Sequence, residues 1–346
     1  MGQDRRLDQG PVSLTAPDAV HRAPRWKAAG RLLGRRMLLG VPVTLAITAV
    51  VFALASIAPF NPLAAYVGSR YQQLSLEQRA ELAGQLGLDQ GWFATWTHWL
   101  AGALQGDWGT SILYARPVTQ VMAERLPYTL LLAGCGLAIA ILLSIALAVA
   151  SGRRPGGLAD KATTLLAQLA QSLPPFVLAL VAVAVFALRL GMPTSGVAAP
   201  GHSPTAASIA WHLVLPACVL AFTLIPWLVL NLRASIFEAL ESDAVLAARG
   251  RGAGEAQITA REVLPLALLP FVTIIGSRLG ELVTGALLIE SVFSWPGIAF
   301  ATVEAAKAGD FPLLAAVTMV SCLAVFAGNA LADACYLLID PRVNDV

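Results

Sequence analysis

Few residues in this chain of 346 have a type and spacing that could do chemistry. Arg278 and Glu281 stand three apart in an otherwise apolar run from Leu264 to Leu288, so on a helix they share a face and can pair. A charge inside such a run costs about 2.5–3.5 kcal/mol on insertion scales unless a partner or water receives it. Two readings follow: a buried ion pair against a neighbouring helix, or a polar lining for a solute or ion path. Asp333, near the end of the last apolar run, reads as a helix-end residue. Cys135, Cys218, Cys322 and Cys335 lie in apolar runs with no C-x-x-C spacing, and the four histidines are scattered, so no metal or other cofactor is expected. There is no Gly-x-x-x-x-Gly-Lys-Ser/Thr phosphate loop, no His-Glu-x-x-His helix and no Gly-x-Ser-x-Gly elbow. No enzymatic chemistry is expected from these motifs.

Composition sets the elements that must hold these residues. Hydrophobic residues make up 57% and charged residues 13% of the chain, against roughly 25% charged in soluble proteins. A water-facing surface cannot be built from so few charges, and the mean hydropathy of +0.70 agrees. The net charge of +2 is too small to suggest a nucleic-acid partner. The bilayer is the expected solvent. About 20 apolar residues cross it as a helix, and six runs qualify: Met37 to Ala58, about Tyr128 to Ala150, Thr164 to Leu188, Leu213 to Leu232, Leu264 to Leu288, and Phe311 to Leu338. Membrane barrel strands would alternate apolar and polar; these runs do not, so the fold class is all-α with six transmembrane helices. Ala53-Leu54-Ala55 resembles a signal cleavage site, but the first run exceeds the usual 7–15 residues and follows a polar head, so it reads as an uncleaved anchor.

Lysine and arginine fix the orientation. With the N-terminus inside, eight precede Met37, three follow the second run (Arg153, Arg154, Lys161), four follow the fourth (Arg233, Arg249, Arg251, Arg261), and Arg342 lies in the tail. Outside stand Arg70, Arg79, Arg116, Arg125, Arg189 and Lys307. Sixteen against six places both termini in the cytoplasm. Residues 1–36 then read as a disordered basic arm, and 37–346 as the membrane domain. Within it, 59–127 is a structured outer loop: Ser75 and Gln78 form a capping box, and Trp92, Trp96, Trp99 and Ala103 recur at helical spacing, suiting a helix at the membrane interface. A Trp-lined ligand box is the alternative.

The cytoplasmic loop 233–263 is the most informative stretch. Helical composition runs from Glu238 to Ala248, breaks at Gly250, Gly252 and Gly254, and resumes at Glu255. Helix connections in bundles commonly take 2–8 residues, so a loop of this length implies a knob for a partner.

Asp243, Ala247, Ala248, Arg249, Gly252, Glu255, Leu264 and Pro265 resemble, in type and spacing, the coupling motif in permease subunits of binding-protein-dependent ATP-binding-cassette importers. Leu246 and Glu262 depart from the general pattern, where Glu and Ile stand; the oligopeptide/dipeptide branch fits better. The likeness extends along the chain. Gly106-Asp107-Trp108-Gly109-Thr110-Ser111, Arg116-Pro117-Val118 and Glu124 to Leu130 resemble the outer-loop signature of the first permease of dipeptide importers, as does Leu86 to Gln90. Glu290-Ser-Val-Phe-Ser-Trp295-Pro296-Gly297, Gly309-Asp310-Phe311-Pro312 and Asp340-Pro341-Arg342-Val343 complete it. The resemblance implies a pore formed with a second homologous permease, two cytoplasmic ATPase subunits or domains, and an extracytoplasmic substrate-binding protein. It implies peptide import by alternating access, with nickel or another small solute of the same branch as the alternative. An ion-coupled secondary transporter is the rival from another class, on the strength of Arg278 and Glu281.

Overall fold

A chain this apolar can satisfy its backbone in lipid only through helices or a closed barrel, and the computed structural model is helical almost throughout. It describes residues 25–57, 63, 68–85, 91–152, 154–277 and 279–339. In chain order come α1 (Arg25–Ile57), α2 (Leu76–Gln85), α3 (Trp92–Leu104), a hairpin of β1 (Thr110–Ser111) and β2 (Arg116–Pro117), and α4 (Val118–Gly152). Then follow α5 (Leu158–Ser172), α6 (Pro175–Leu190), α7 (Ala206–Leu240), α8 (Asp243–Gly250) and α9 (Glu255–Ile258). A π-turn (Thr259–Val263) leads to α10 (Leu264–Ser277), α11 (Leu279–Val292), α12 (Ile298–Ala308) and α13 (Phe311–Ile339).

Among the described residues five helices are long and apolar enough to cross a membrane: Leu38–Ile57, Val118–Gly152, Ala206–Leu240, Glu255–Gly276 and Phe311–Ala330. The third expected span, Thr164 to Leu188, is not one helix. It is α5 and α6, bent by 101° at a short break, and counts as the sixth crossing only if the pair is one span. The cause is local: Pro174 and Pro175 offer no amide donor, and Pro174 holds Leu173 extended at φ −100°, ψ 126°.

Several boundaries also move. Helix α1 begins at Arg25, so the expected disordered arm 1–36 gives way to helix twelve residues early; residues 1–24 lie outside the described residues. Helix α4 begins at Val118 and carries Pro127 inside it, removing 118–127 from the expected outer loop. Helix α7 runs to Leu240, so Arg233 belongs to its last turns and not to the cytoplasmic loop. The expected span from Leu264 to Leu288 is helical on both sides of Arg278, as α10 and α11, and Arg278 lies outside the described residues.

The framework is the pair α4–α7. On α4, Gly136, Ala140, Ser144 and Ala148 recur every four residues and are buried, letting α7 approach closely in the small-residue manner of membrane helices. A Cβ on Gly136 would sit 2.8 Å from Leu220, and one on Gly152 2.6 Å from Ile236. The first and last helices, α1 and α13, pack side by side, with Phe326 against Gly40.

Buried apolar side chains fall into three clusters. One joins α4, α5, α7, the α8–α9 hairpin and α10, through Ala148, Ala167, Ile236, Val245, Ile258 and Phe271. A second joins α4, α6, α7 and α11, through Leu132, Ala179, Leu220, Ile289, Phe293 and Trp295. The third gathers α1, α3, α4, α12 and α13.

Candidate functional site

Helix α8 ends in a glycine-closed turn. The Ala253 amide donates to the Ala248 carbonyl at 3.1 Å and the Gly252 amide to Arg249 at 2.9 Å, with Gly252 at φ +78°. This double bond pattern satisfies two of the orphan carbonyls at a helix end and calls for glycine at the left-handed position. Helix α9 then starts at Glu255 and turns the chain back.

Val245, Ala248, Ile258 and Val263 are buried, which anchors the hairpin to the end of α7 and the start of α10. Asp243, Ala247, Arg249, Gly252, Glu255 and Pro265 face outward, and Leu264 is half-buried. Arg249 Nε donates to Glu255 Oε1 at 3.2 Å, tying the two short helices together across the turn. Both side chains are well exposed, so this pair adds little stability. Leu246 is 70% exposed, and a Cβ added to Gly252 would meet nothing within 4 Å. The hairpin is thus seated on one side and bare at its tip and outer face. Behind it opens a groove of about 900 Å³, lined by Gly152, Pro155, Phe237, Leu240, Arg249 and Glu255 among others.

At the opposite end two signature stretches meet each other. Gly106 and Gly109 take φ of +89° and +81°, and the Gly109 amide donates to Asp107 Oδ1 at 3.0 Å, shaping the turn before β1. The Ser111 hydroxyl donates to Asp310 Oδ2, which also accepts the Leu113 amide at 3.1 Å. Asp310 Oδ1 accepts the Leu313 amide at 3.2 Å and so caps α13. Ser111 and Asp310 are both fully buried. Burial also pushes the pKa of nearby Tyr114 up, with Arg125 opposing.

A second knot is centred on Glu290, also fully buried. The Thr129 hydroxyl donates to Glu290 Oε1 at 2.6 Å and the Phe300 amide to Oε2 at 2.8 Å, while the Ile298 amide donates to Thr129 Oγ1. Trp295 Nε1 donates to the Tyr128 carbonyl at 2.9 Å. A Cβ on Gly297 would overlap the Glu290 carboxylate, so the Trp295-Pro296-Gly297 turn closes around that group only with glycine. Burial raises the Glu290 pKa; the hydrogen bonds from Thr129 and from the Phe300 and Ala299 amides pull it back in part.

The tryptophan stripe of α3 makes side-chain contacts with α1 and with the turn before β1. Trp96 Nε1 donates to Thr48 Oγ1 at 3.2 Å, Trp99 Nε1 to the Trp108 carbonyl at 3.2 Å, and the Trp99 and Phe52 rings lie 5.6 Å apart. The stripe docks α3 on α1. The Ser75–Gln78 capping box is formed in both directions.

Arg278 lies outside the described residues, and Glu281 sits on α11 with its side chain outside them. Leu86 to Gln90 and Asp340 to Val343 lie outside them too. Sequence reasoning missed Asp160 and Arg233. Arg233 Nε and Nη2 donate to Asp160 Oδ1 and Oδ2 (the second at 3.0 Å), the Gly156 amide donates to Oδ2 at 2.9 Å, and the Phe237 ring lies 4.4 Å from the guanidinium. The one available signal was a lone acid in a helix's first turn opposite a lone arginine at the end of an apolar run.

The pattern of the family described as "binding-protein-dependent transport system inner membrane component" matches residues 136–345. The chain belongs to that family. A putative peptide permease protein of Brucella ovis is 36% identical over 311 residues, spanning 89% of this chain and 97% of its own. The oligopeptide transport system permease protein AppB of Bacillus subtilis is 32% identical over 312 residues, 90% and 98% of the two chains. The glutathione transport system permease protein GsiC of Pectobacterium atrosepticum is 29% identical over 311 residues, 90% and 97%. The permease is a multi-pass component of the inner membrane, and a transport subunit of an importer.

Proposed function

We propose that this permease forms half of the pore of an ATP-driven peptide importer, with a second homologous permease as the other half. The α8–α9 hairpin docks in a groove of a cytoplasmic ATPase subunit and transmits its closure. The outer end takes substrate from an extracytoplasmic binding protein. One observation carries the docking role: a hairpin packed into the core on one side is bare on the other, and the count of lysine and arginine assigns it to the cytoplasmic side. The peptide class rests on relatives whose names specify peptides and which match over nearly their whole length. Glutathione, handled by another relative, is itself a short peptide.

The test is Gly252→Leu in the reconstituted complex. Open space surrounds that position, so the folding cost is limited to the left-handed backbone, about 1 kcal/mol. Assembly is expected to persist while substrate-stimulated ATP hydrolysis falls about tenfold, the equivalent of some 1.4 kcal/mol of lost coupling. Unchanged stimulation would refute the docking role.

Arg278 and Glu281 are proposed to line the path. Arg278→Ala is expected to lower uptake of labelled peptide more than it lowers assembly, and Arg278→Ala/Glu281→Ala is expected to leave uptake low. Full recovery in the double variant would make the two a structural pair.

A further inference from the structure

The break between α5 and α6 coincides with a border between two cores. The buried face of α5 runs through Asp160, Thr163, Ala167 and Ala170, and its Ala167 belongs to the cluster that holds the α8–α9 hairpin. The buried residues of α6, Ala179 and Ala182, belong to the cluster of Ile289, Phe293 and Trp295 instead. Helix α5 packs on α4 and α7, and α6 packs on α7 and α11. The two arms of the bent pair therefore bury their faces in different apolar clusters, although both also rest on α7.

The Asp160–Arg233 pair keys the inner half to the hairpin side. Asp160 is 4% exposed, and both its oxygens receive the guanidinium fork while one also holds the Gly156 amide. Phe237 covers the guanidinium and reaches the groove behind the hairpin. A buried pair of this kind adds little net stability, but a two-point fork fixes the relative position of the two helices that carry it. Arg233 lies two turns before the end of α7, from which the hairpin hangs.

We propose that Asp160 and Arg233 are positioning residues of the transport step: they make α5 move as one body with the docking hairpin, and the Leu173–Pro174 break is the hinge that lets α6 stay with the outer core. This rests on the docking role proposed above, and the experiment separates the two. In the reconstituted complex, spin labels are placed at exposed Ala256 and Leu166, within the inner body, and at Leu166 and Leu180, across the break. A cysteine cross-link from position 252 to the ATPase reports docking independently. Adding nucleotide is expected to change the Leu166–Leu180 distance and leave Ala256–Leu166 unchanged. A change in Ala256–Leu166 with Leu166–Leu180 constant would overturn the proposal, as would no change in either pair while the cross-link forms. Absence of the cross-link would instead count against docking.

Arg233→Lys keeps the charge but loses the fork. It is expected to assemble and to lower uptake per assembled complex at least fivefold. The neutral double Asp160→Asn/Arg233→Gln strands no charge; it is expected to recover assembly relative to Asp160→Asn alone without recovering uptake. Uptake per complex equal to the unaltered protein in either variant would make the pair merely structural.

Discussion

Glu290 illustrates what a single residue can be made to do by its surroundings. Its carboxylate is fully buried and held by a hydroxyl from α4 and an amide from α12, with Gly297 folded against it. Gly297→Ala forces overlap with that carboxylate and is expected to lower stability by about 1–3 kcal/mol, read as a drop in melting temperature of the detergent-solubilised protein. The pH dependence has a definite sign. A carboxyl whose pKa is raised on folding above its ordinary 4.5 binds its proton more tightly in the folded state. Its contribution to stability is therefore complete below the unfolded value and is lost as pH rises through the folded one. Glu290→Gln keeps the shape without the charge, so the fall in melting temperature as pH rises above the ordinary carboxyl range is expected to shrink. The residue types of this knot were legible as a motif, Glu290 with Trp295-Pro296-Gly297. Thr129 was legible within the stretch Glu124 to Leu130, but its pairing with Glu290 was not, because the two lie 161 positions apart and a sequence carries helical faces but not which face meets which. Asp160 and Arg233, 73 positions apart, escaped for the same reason.

At the scale of elements, local signals were read well where they act locally. The capping box at Ser75, the glycine turn at Gly252 and the apolar runs other than the third produced the helices they imply. The double proline at 174–175 carried the break of α5 from α6 in plain view, yet apolar periodicity continues across it and masks the bend. Helix starts at Arg25 and Val118 lie outside the most apolar stretches, so hydropathy alone sets them late. The α4 stripe gives a paired prediction. Gly136→Val would press on Leu220 and is expected to destabilise by about 1–3 kcal/mol and reduce the yield of folded protein. Gly134→Val, on the open face of the same helix, is expected to change the melting temperature little. Equal effects would show that helix propensity, and not the α4–α7 contact, governs both.

For the whole molecule, the count of cationic residues sets the orientation in the membrane, with both termini inside. In a background without the native cysteines, Glu77→Cys is expected to react with an impermeant thiol reagent added from outside, and Ala256→Cys only after permeabilisation. The reverse pattern would invert the molecule and put the hairpin out of reach of any ATPase. Both positions are exposed, so burial would not mask the result.

The Ser111–Asp310 contact has a bearing on how the protein is made. It joins the hairpin before α4 to the cap of the final helix, across 199 positions, while α1 and α13 pack together. A ribosome has delivered the first residues of α13 before the first helix can pack on it and the outer hairpin can find its acceptor. Until then the nascent protein carries an open seam between its beginning and its end. Insertion can proceed helix by helix, but completion is a single late event. A chain arrested after Lys307 should keep a protease-sensitive hairpin at 110–117, and a membrane-quality protease could distinguish finished from unfinished copies by that seam alone.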